Sequence, residues 1–199
     1  MHAPRAGDFE MAKSGNGVAA DSAEIIKSSI KSIPDYPKPG ILFRDVTSLC
    51  EDRRAFGLAI KELAALYKDK KVDKVASAEA RGYIFGAPVA AALGAGFVLI
   101  RKPGKLPRRT IEENYVLEYG TNKLQMHADA IKKGERVLIL DDLLATGGTM
   151  DAMVRLVQRE GGEIVGCAFV IELEGLDGRK TLVEKHGVDV KSLVTFPGH

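Results

Sequence analysis

Cysteine and histidine are scarce in this sequence, which argues against a disulfide-linked protein and against a metal site built from these residues. Cys50 and Cys167 lie far apart among apolar neighbours, so we expect two buried thiols. The four histidines are scattered and give no ligand set for a metal. Because nothing indicates an oxidising compartment, we expect a cytoplasmic protein.

A marked excess of charge is also absent. Counts of 29 Lys and Arg against 27 Asp and Glu leave a formal net charge of +2, with no dense basic run. This balance argues against a nucleic-acid partner. Residues 1–20 lack the apolar core of a signal peptide and are rich in Ala, Gly, Ser and charge. We therefore expect a disordered tail, followed by one domain at residues 21–199.

Only one stretch of the sequence is both long and free of charged residues. Residues 83–100 carry no charge over a length that can span a bilayer. Pro88, Gly94 and Gly96 interrupt that stretch, however. We expect a buried helix, a glycine turn and a buried strand there, and no membrane association.

Two familiar nucleotide-binding motifs, the Walker loop and Gly-x-Gly-x-x-Gly, do not occur in the chain. A different pattern occupies residues 137–149. An apolar strand at residues 137–140 is followed by Asp141 and Asp142, and then by a small-residue turn with two glycines at residues 145–149. An amphipathic helix follows, with its apolar face formed by Met150, Met153, Val154 and Val157.

The chemistry of this stretch favours a sugar phosphate. Glycines let backbone N–H groups approach a ligand, and a helix N-terminus attracts phosphate. The hydroxyls of Thr146 and Thr149 add donors, whereas Asp141 and Asp142 can accept from sugar hydroxyls or hold a hydrated Mg²⁺. The stretch is therefore suited to bind a ribose 5-phosphate. The alternative is a purely structural acidic strand end.

A second strand, turn and helix start lie at residues 74–82. Arg81 falls at the helix start, where the helix dipole disfavours a cation, so we expect an anion beside it. The alternative is a salt bridge to a nearby acid. We also expect helices at residues 22–31 and 52–67, capped by Ser22 and Asp52. Together with the other alternating strands and helices, this predicts an open, mostly parallel twisted sheet flanked by helices.

Two further segments are expected to cover the sheet edge. Prolines at residues 34, 37 and 39 precede Leu42, Phe43 and Arg44, which favours a fixed extended hood at about residues 33–50. A basic stretch punctuated by Pro and Gly leads into a hairpin at residues 112–119 and 123–127, which together favour a flexible lid at about residues 102–121. The alternatives are a surface turn and a solvated charged loop.

Five blocks occur in the order found in the type I phosphoribosyltransferases. They are Phe43-Arg44-Asp45, Glu79-Ala80-Arg81-Gly82, Arg101-Lys102-Pro103-Gly104-Lys105-Leu106-Pro107, Leu117-Glu118-Tyr119-Gly120 and Asp141-Asp142-Leu143-Leu144-Ala145-Thr146-Gly147-Gly148-Thr149. The last block resembles the family's signature for 5-phosphoribosyl 1-diphosphate (PRPP). From about residue 28 to residue 199 the chain resembles those members that act on adenine. Some members have Ser at the position of Ala80, so a hydroxyl contact to diphosphate is not carried over.

The resemblance implies a Mg²⁺-dependent homodimer that converts adenine and PRPP to AMP and diphosphate in purine salvage. Its transition state is expected to resemble an oxocarbenium ion. The implied roles are catalysis by Glu118, Asp141 and Asp142; binding of the 5′-phosphate by Ala145, Thr146, Gly147, Gly148 and Thr149; binding of diphosphate by Glu79, Ala80, Arg81, Lys102 and Lys105; and binding of adenine by Leu42, Phe43 and Arg44. No side chain is expected to ligate Mg²⁺ directly, because PRPP and water hold it. The alternatives are a transferase for another purine and a non-catalytic regulator with the same fold.

Overall fold

The computed structural model describes residues 17–117 and 120–198. In chain order the elements are α1 (Ala20–Ser28), β1 (Lys31–Pro34), β2 (Leu42–Asp45), α2 (Val46–Glu51), α3 (Arg53–Ala65), β3 (Lys74–Ala78), α4 (Arg81–Leu93), β4 (Gly96–Arg101), β5 (Thr110–Leu117), β6 (Gly120–His127), β7 (Arg136–Leu144), α5 (Gly148–Arg159), β8 (Glu163–Glu174), α6 (Gly178–His186) and β9 (Val190–Pro197).

A seven-stranded sheet in the order β5-β6-β4-β3-β7-β8-β9 forms the centre of the fold. The five strands from β4 to β9 in that order run parallel, whereas β5 and β6 form an antiparallel hairpin at one edge. The predicted fold class is therefore confirmed. Strands β1 and β2 form a separate antiparallel pair in the hood.

Helices cover both faces of the large sheet, because its central strands are apolar on both sides. Along β7, Leu138 and Leu140 pack in a core with α1, α3 and α4, whereas Val137 and Ile139 pack in a second core with α5 and α6. This alternation is the two-residue period of a strand. The predicted apolar face of α5 is confirmed, since Met150, Met153, Val154 and Val157 are all buried.

The helix boundaries agree with the sequence in some places and not in others. Asp52 caps α3 as expected, since its carboxylate accepts from the N–H groups of Arg54 and Ala55 at 2.8 Å. Ser22 does not cap α1, because the helix begins two residues earlier and the Ser22 hydroxyl donates to Glu62 at 2.8 Å. The hood is extended in β2, as expected for Leu42, Phe43 and Arg44, and from Val46 onward it is helix α2, capped by Asp45.

The strand ends also differ from the prediction. β7 continues through Asp141 and Asp142 to Leu144, because these residues still lie alongside β8. The carboxylates therefore lie on the strand and not after it.

The tail and the cysteines give two further corrections. Residues 1–16 lie outside the described part of the chain, but Val18 is fully buried and Ala20 begins α1, so the packed domain starts before residue 21. Cys167 is buried as predicted, whereas Cys50 is only half-buried. The uncharged stretch divides into α4 and β4 as expected, and no helix of the described residues has the length and apolarity to cross a membrane.

Candidate active site

A cleft of about 410 Å³ opens at the carboxyl ends of the parallel strands β3 and β7. Because these strands are neighbours, the turn after β3 and the loop after β7 face each other across it. This is where open parallel sheets bind ligands. The lining residues are Ala78, Glu79, Ala80, Arg81, Lys102, Tyr115, Leu124, Asp141, Asp142, Leu143, Leu144, Ala145, Thr146, Gly147, Gly148, Thr149, Met150 and Phe169.

One wall is the glycine loop, residues 145–149, which leads from β7 into α5. Gly147 has a φ of 86°, a left-handed conformation that other residues rarely adopt, and α5 begins at the next residue. The N–H of Asp151 donates to the Gly147 carbonyl at 2.8 Å, which closes the first turn of that helix. The first N–H groups of a helix have no partner within the helix, and Gly148 and Thr149 at this helix start line the cleft, so this wall suits a phosphate.

The opposite wall is the turn between β3 and α4. Its Glu79–Ala80 peptide bond is cis. The Glu79 carboxylate accepts from the Arg101 guanidinium at 2.7 and 2.8 Å and from the Lys102 N–H at 2.7 Å. Partial burial opposes ionisation, yet these donors hold the pKa of Glu79 below its ordinary value. Glu79 therefore fixes the start of the basic segment beside the cleft.

The two walls are joined by an ion pair. The Arg81 Nε lies 2.5 Å from the Asp142 Oδ2, so in the structure Arg81 has the salt bridge that was the alternative to a bound anion. The Arg81 side chain nevertheless remains half exposed at the cleft, whereas that of Asp142 is 9% exposed. A further anion can therefore still reach the guanidinium.

Asp141 lies directly beside this pair. Burial and the charge of Asp142 raise the pKa of the Asp141 carboxyl well above its ordinary value. A Cβ atom on Gly82 would lie 2.6 Å from the Asp141 Oδ1, so only glycine lets the start of α4 approach the carboxylate this closely. The sequence-predicted acids and the Arg81 turn thus form one charged cluster.

The hood reaches the cluster through Phe43. The Arg81 guanidinium lies 6.0 Å from the centre of the Phe43 ring, and Tyr36 contacts that ring edge-on at 5.1 Å between ring centres. The next side chain, Arg44, points the other way, because successive side chains of a strand alternate. Its guanidinium lies 4.5 Å from the Phe196 ring centre and donates to the Ser32 hydroxyl.

The other residues predicted for the site do not all lie at the cleft. Lys102 lines the cleft, whereas Lys105 is exposed and is not among the lining residues. Glu118 lies outside the described residues. The hairpin that leads to it is held on α5, since Arg155 donates to Glu113 at 3.2 Å and to the Asn114 carbonyl at 2.5 Å.

Several lining residues could not be recognised in the sequence. Tyr115 and Leu124 reach the cleft from the hairpin, and Phe169 reaches it from β8. In sequence each is an ordinary apolar strand residue. Only the strand order, which places the hairpin beside β4, brings them to the site.

The donors in the cleft fit a substrate-borne magnesium ion better than a resident one. Asp141 and Asp142 provide two carboxylates, and one of these is engaged by Arg81. Within the part of the chain that the structure describes, no group of three or more His, Cys, Asp or Glu side chains could hold a metal. Mg²⁺ is commonly bound through one or two carboxylates together with substrate phosphates and water.

Known proteins resemble the chain in sequence and in fold. The family model described as "Phosphoribosyl transferase domain" matches residues 49–197. The chain is 60% identical over 180 residues to the adenine phosphoribosyltransferase of Shigella flexneri serotype 5b, across 90% of this chain and 98% of that protein. The adenine phosphoribosyltransferase structure from Thermoanaerobacter pseudethanolicus has a TM-score of 0.83 and 50% identity, covering 87% of this chain and 99% of that one. The Saccharomyces cerevisiae enzyme, solved with an imino-altritol bisphosphate and adenine, has a TM-score of 0.81 and 34% identity over 87% and 99% of the two chains.

The raised pKa of Asp141 predicts a stability change. An acid whose pKa is higher in the folded chain than in the unfolded chain loses its stabilising contribution as the pH rises between those values. Asp141→Asn cannot ionise, so its melting temperature should exceed that of the wild type by a few degrees at pH 8. The difference should shrink towards about pH 4, near the ordinary pKa of aspartate. Melting curves across this pH range measure the effect.

Asp189→Asn is the matched control, since it removes a half-exposed carboxylate that lies outside this cluster and is paired with Lys70, and it should bring no such gain. A melting temperature of Asp141→Asn at or below that of the wild type at pH 8 contradicts the account.

Proposed function

The chain belongs to the phosphoribosyl transferase family and, within it, to the adenine phosphoribosyltransferases, and on that premise we propose how its cleft works. The enzyme transfers the 5-phosphoribosyl group of PRPP to adenine, giving AMP and diphosphate in purine salvage. The observation that supports the proposal is the ion pair between Arg81 and Asp142, which joins the strand before the glycine loop to the turn between β3 and α4 at one cleft.

PRPP spans the cleft in this proposal. Its 5′-phosphate accepts from the N–H groups of the glycine loop, and its ribose hydroxyls donate to Asp141 and Asp142. The diphosphate lies against the turn at Ala80 and Arg81, with Lys102 beside it. Glu79 acts indirectly, since its carboxylate is occupied by Arg101 and the Lys102 N–H. Lys105 joins the diphosphate site only if its segment moves inward.

The base is proposed to bind under the hood. Phe43 stacks on adenine, while the carbonyl of Leu42 and the N–H of Arg44 read its 6-amino group and N1. The orientation of the Arg44 side chain, towards Phe196 and away from Arg81, supports recognition by main chain. Hypoxanthine presents the opposite donor and acceptor at these positions, so two buried groups would be opposed at about 1–3 kcal/mol each.

The chemical step exchanges two bonds at the anomeric carbon. The bond from the anomeric carbon to diphosphate breaks ahead of the new bond to N9 of adenine, so the sugar is cationic in the transition state. Asp141 and Asp142 offset that charge from the sugar side, and Arg81 stabilises the departing diphosphate. Glu118 accepts a hydrogen bond at N7, stabilises the tautomer with a free N9, and takes up the released proton. Residues 102–121 act as the lid that excludes water.

We propose Mg²⁺ as the cofactor, bound mainly by the PRPP oxygens and water. Asp141 and Asp142 would accept hydrogen bonds from its water ligands. The ion would neutralise charge on the diphosphate. The two free cysteines support a cytoplasmic location.

A homodimer is also proposed. Ile84 on α4 is 37% exposed and Leu99 on the adjoining β4 is 40% exposed, so neighbouring elements each present a large apolar side chain to the outside. Tyr83 and Phe97 beside them are in ring contact at 5.6 Å. Light scattering of the purified chain measures the mass, and a monomer at micromolar concentration would refute this part.

The catalytic proposal is tested first by replacing the acids. Asp141→Asn and Asp142→Asn should both fold but lose turnover by roughly 10²–10³-fold each, as when one donor is removed from an oxyanion hole. Steady-state kinetics with PRPP, Mg²⁺ and adenine measure the loss. Asp189→Asn, which replaces a half-exposed carboxylate paired with Lys70, is the control. Turnover near that of the wild type in the double variant would remove the central claim.

Base selectivity should survive loss of the Arg44 side chain. Arg44→Ala keeps the main-chain N–H, so adenine should remain preferred over hypoxanthine by up to roughly 10⁴-fold even if turnover falls. Phe43→Leu is the counterpart, since it should raise the KM for adenine by loss of stacking. The assay uses adenine, guanine, hypoxanthine and xanthine in turn. It therefore also tests whether the chain is a transferase for another purine or a non-catalytic regulator. If Arg44→Ala used hypoxanthine as well as adenine, the Arg44 side chain and not the main chain would recognise the base.

Glu118→Gln separates proton transfer from support of the lid. The change preserves shape and removes charge, so turnover should fall by roughly 10²–10⁴-fold if Glu118 is a general base. PRPP binding should change little, because the sugar phosphate lies at the sheet edge. Glu112→Gln, on the same hairpin and paired with Lys123, is the control. Unchanged turnover with much weaker PRPP binding would assign Glu118 to loop support.

A further inference from the structure

The start of α6 lies directly behind the glycine loop. A Cβ atom on Gly178 would lie 2.2 Å from the carbonyl oxygen of Ala145 and 2.8 Å from the Cδ1 of Leu144. In the other direction, a Cβ atom on Gly147 would lie 3.2 Å from the Cα and the carbonyl oxygen of Gly178. Two backbones therefore pack against each other with no side chain between them.

The chain conformation just before Gly178 brings it into this contact. Asp177 has a φ of 57°, in the left-handed region, and its carbonyl accepts from the N–H of Thr181 at 2.8 Å in the first turn of α6. Gly178 itself lies outside that region. Its lack of a side chain is therefore required by the close approach and not by its own backbone angle.

The next residue fixes α6 to the sheet. Arg179 donates through two nitrogens to Glu172 on β8, and through a third contact to the carbonyl of Val190 at 2.6 Å. Ser192 donates to the same carboxylate at 2.6 Å. Partial burial opposes ionisation, but Arg179 and Ser192 lower the pKa of Glu172. The position of Gly178 is thus tied to β8 and β9.

We propose that Gly178 is a positioning residue for the 5′-phosphate site, held in place by Arg179. It touches no substrate, but it supports the loop whose N–H groups bind the phosphate. The inference rests on the proposed function, because it assigns that loop to PRPP. The loop is therefore confined between the phosphate on one side and the start of α6 on the other.

The test adds one methyl group at this contact. Gly178→Ala introduces no backbone strain, so its effect arises from displacing the Ala145 carbonyl. We expect kcat/KM for PRPP to fall by about 10²-fold, as for a misplacement of about 1 Å at a distance from the chemistry. The KM for adenine should stay near that of the wild type. Titration calorimetry with PRPP and Mg²⁺ should show the matching loss of affinity.

Gly187→Ala is the matched control at the other end of α6. Gly187 has a φ of 64° and open space around its missing Cβ, so alanine there adds strain without a contact. Its melting temperature should fall while PRPP affinity holds. Equal losses of PRPP affinity in Gly178→Ala and Gly187→Ala, or no loss in Gly178→Ala, would overturn the inference.

A second variant keeps the proposal testable if Gly178→Ala does not fold. Arg179→Lys retains Gly178 and the positive charge but cannot reproduce the forked pairing with Glu172. It should weaken PRPP binding and leave the adenine KM unchanged, and wild-type PRPP affinity would overturn the inference. Failure of the wild-type chain itself to bind PRPP would instead refute the proposed function.

Discussion

The ion pair between Arg81 and Asp142 joins the two halves of the cleft, and the rest of the site is arranged around it. The pair forms because β3 and β7 are parallel neighbours, so the turn after one strand faces the end of the other. Pairing of β3 with β7 ends at Ile139, which leaves the strand segment with the two acids next to the start of α4. Sheet topology and a single contact of opposite charges thus set the distance between the glycine loop and the turn between β3 and α4.

This pair explains how a cluster of charges can be stable before substrate arrives. Asp142 is buried, and a buried carboxylate without a partner is costly. Arg81 supplies that partner while half of its side chain stays accessible. In the proposed binding mode, the diphosphate replaces Asp142 as the anion beside Arg81, and the ribose hydroxyls replace Arg81 as donors to Asp142. On this proposal the substrate exchanges partners within an existing network and does not expose a buried charge.

Much of this arrangement could be predicted from the sequence, because local patterns specify it. Apolar strands followed by glycine turns gave the parallel sheet, both turns and the acids at its edge. The extension of β7 beyond Leu140 could not be predicted, since only pairing with β8 makes Asp141 part of a strand. The contact of Gly178 with the glycine loop is equally non-local, and the partner of Arg81 is 61 residues away in the chain. Helix α2 was missed because the prolines before it indicated an extended segment.

The most direct test is a crystal structure of the chain with PRPP and Mg²⁺ bound. The account predicts that the distance from Arg81 Nε to Asp142 Oδ2 lengthens from 2.5 Å to beyond hydrogen-bonding range, about 3.5 Å. Arg81 should then face the diphosphate, and Asp141 and Asp142 the ribose hydroxyls, with the 5′-phosphate on the glycine loop. PRPP bound with the ion pair intact and the ribose away from both carboxylates would contradict the account.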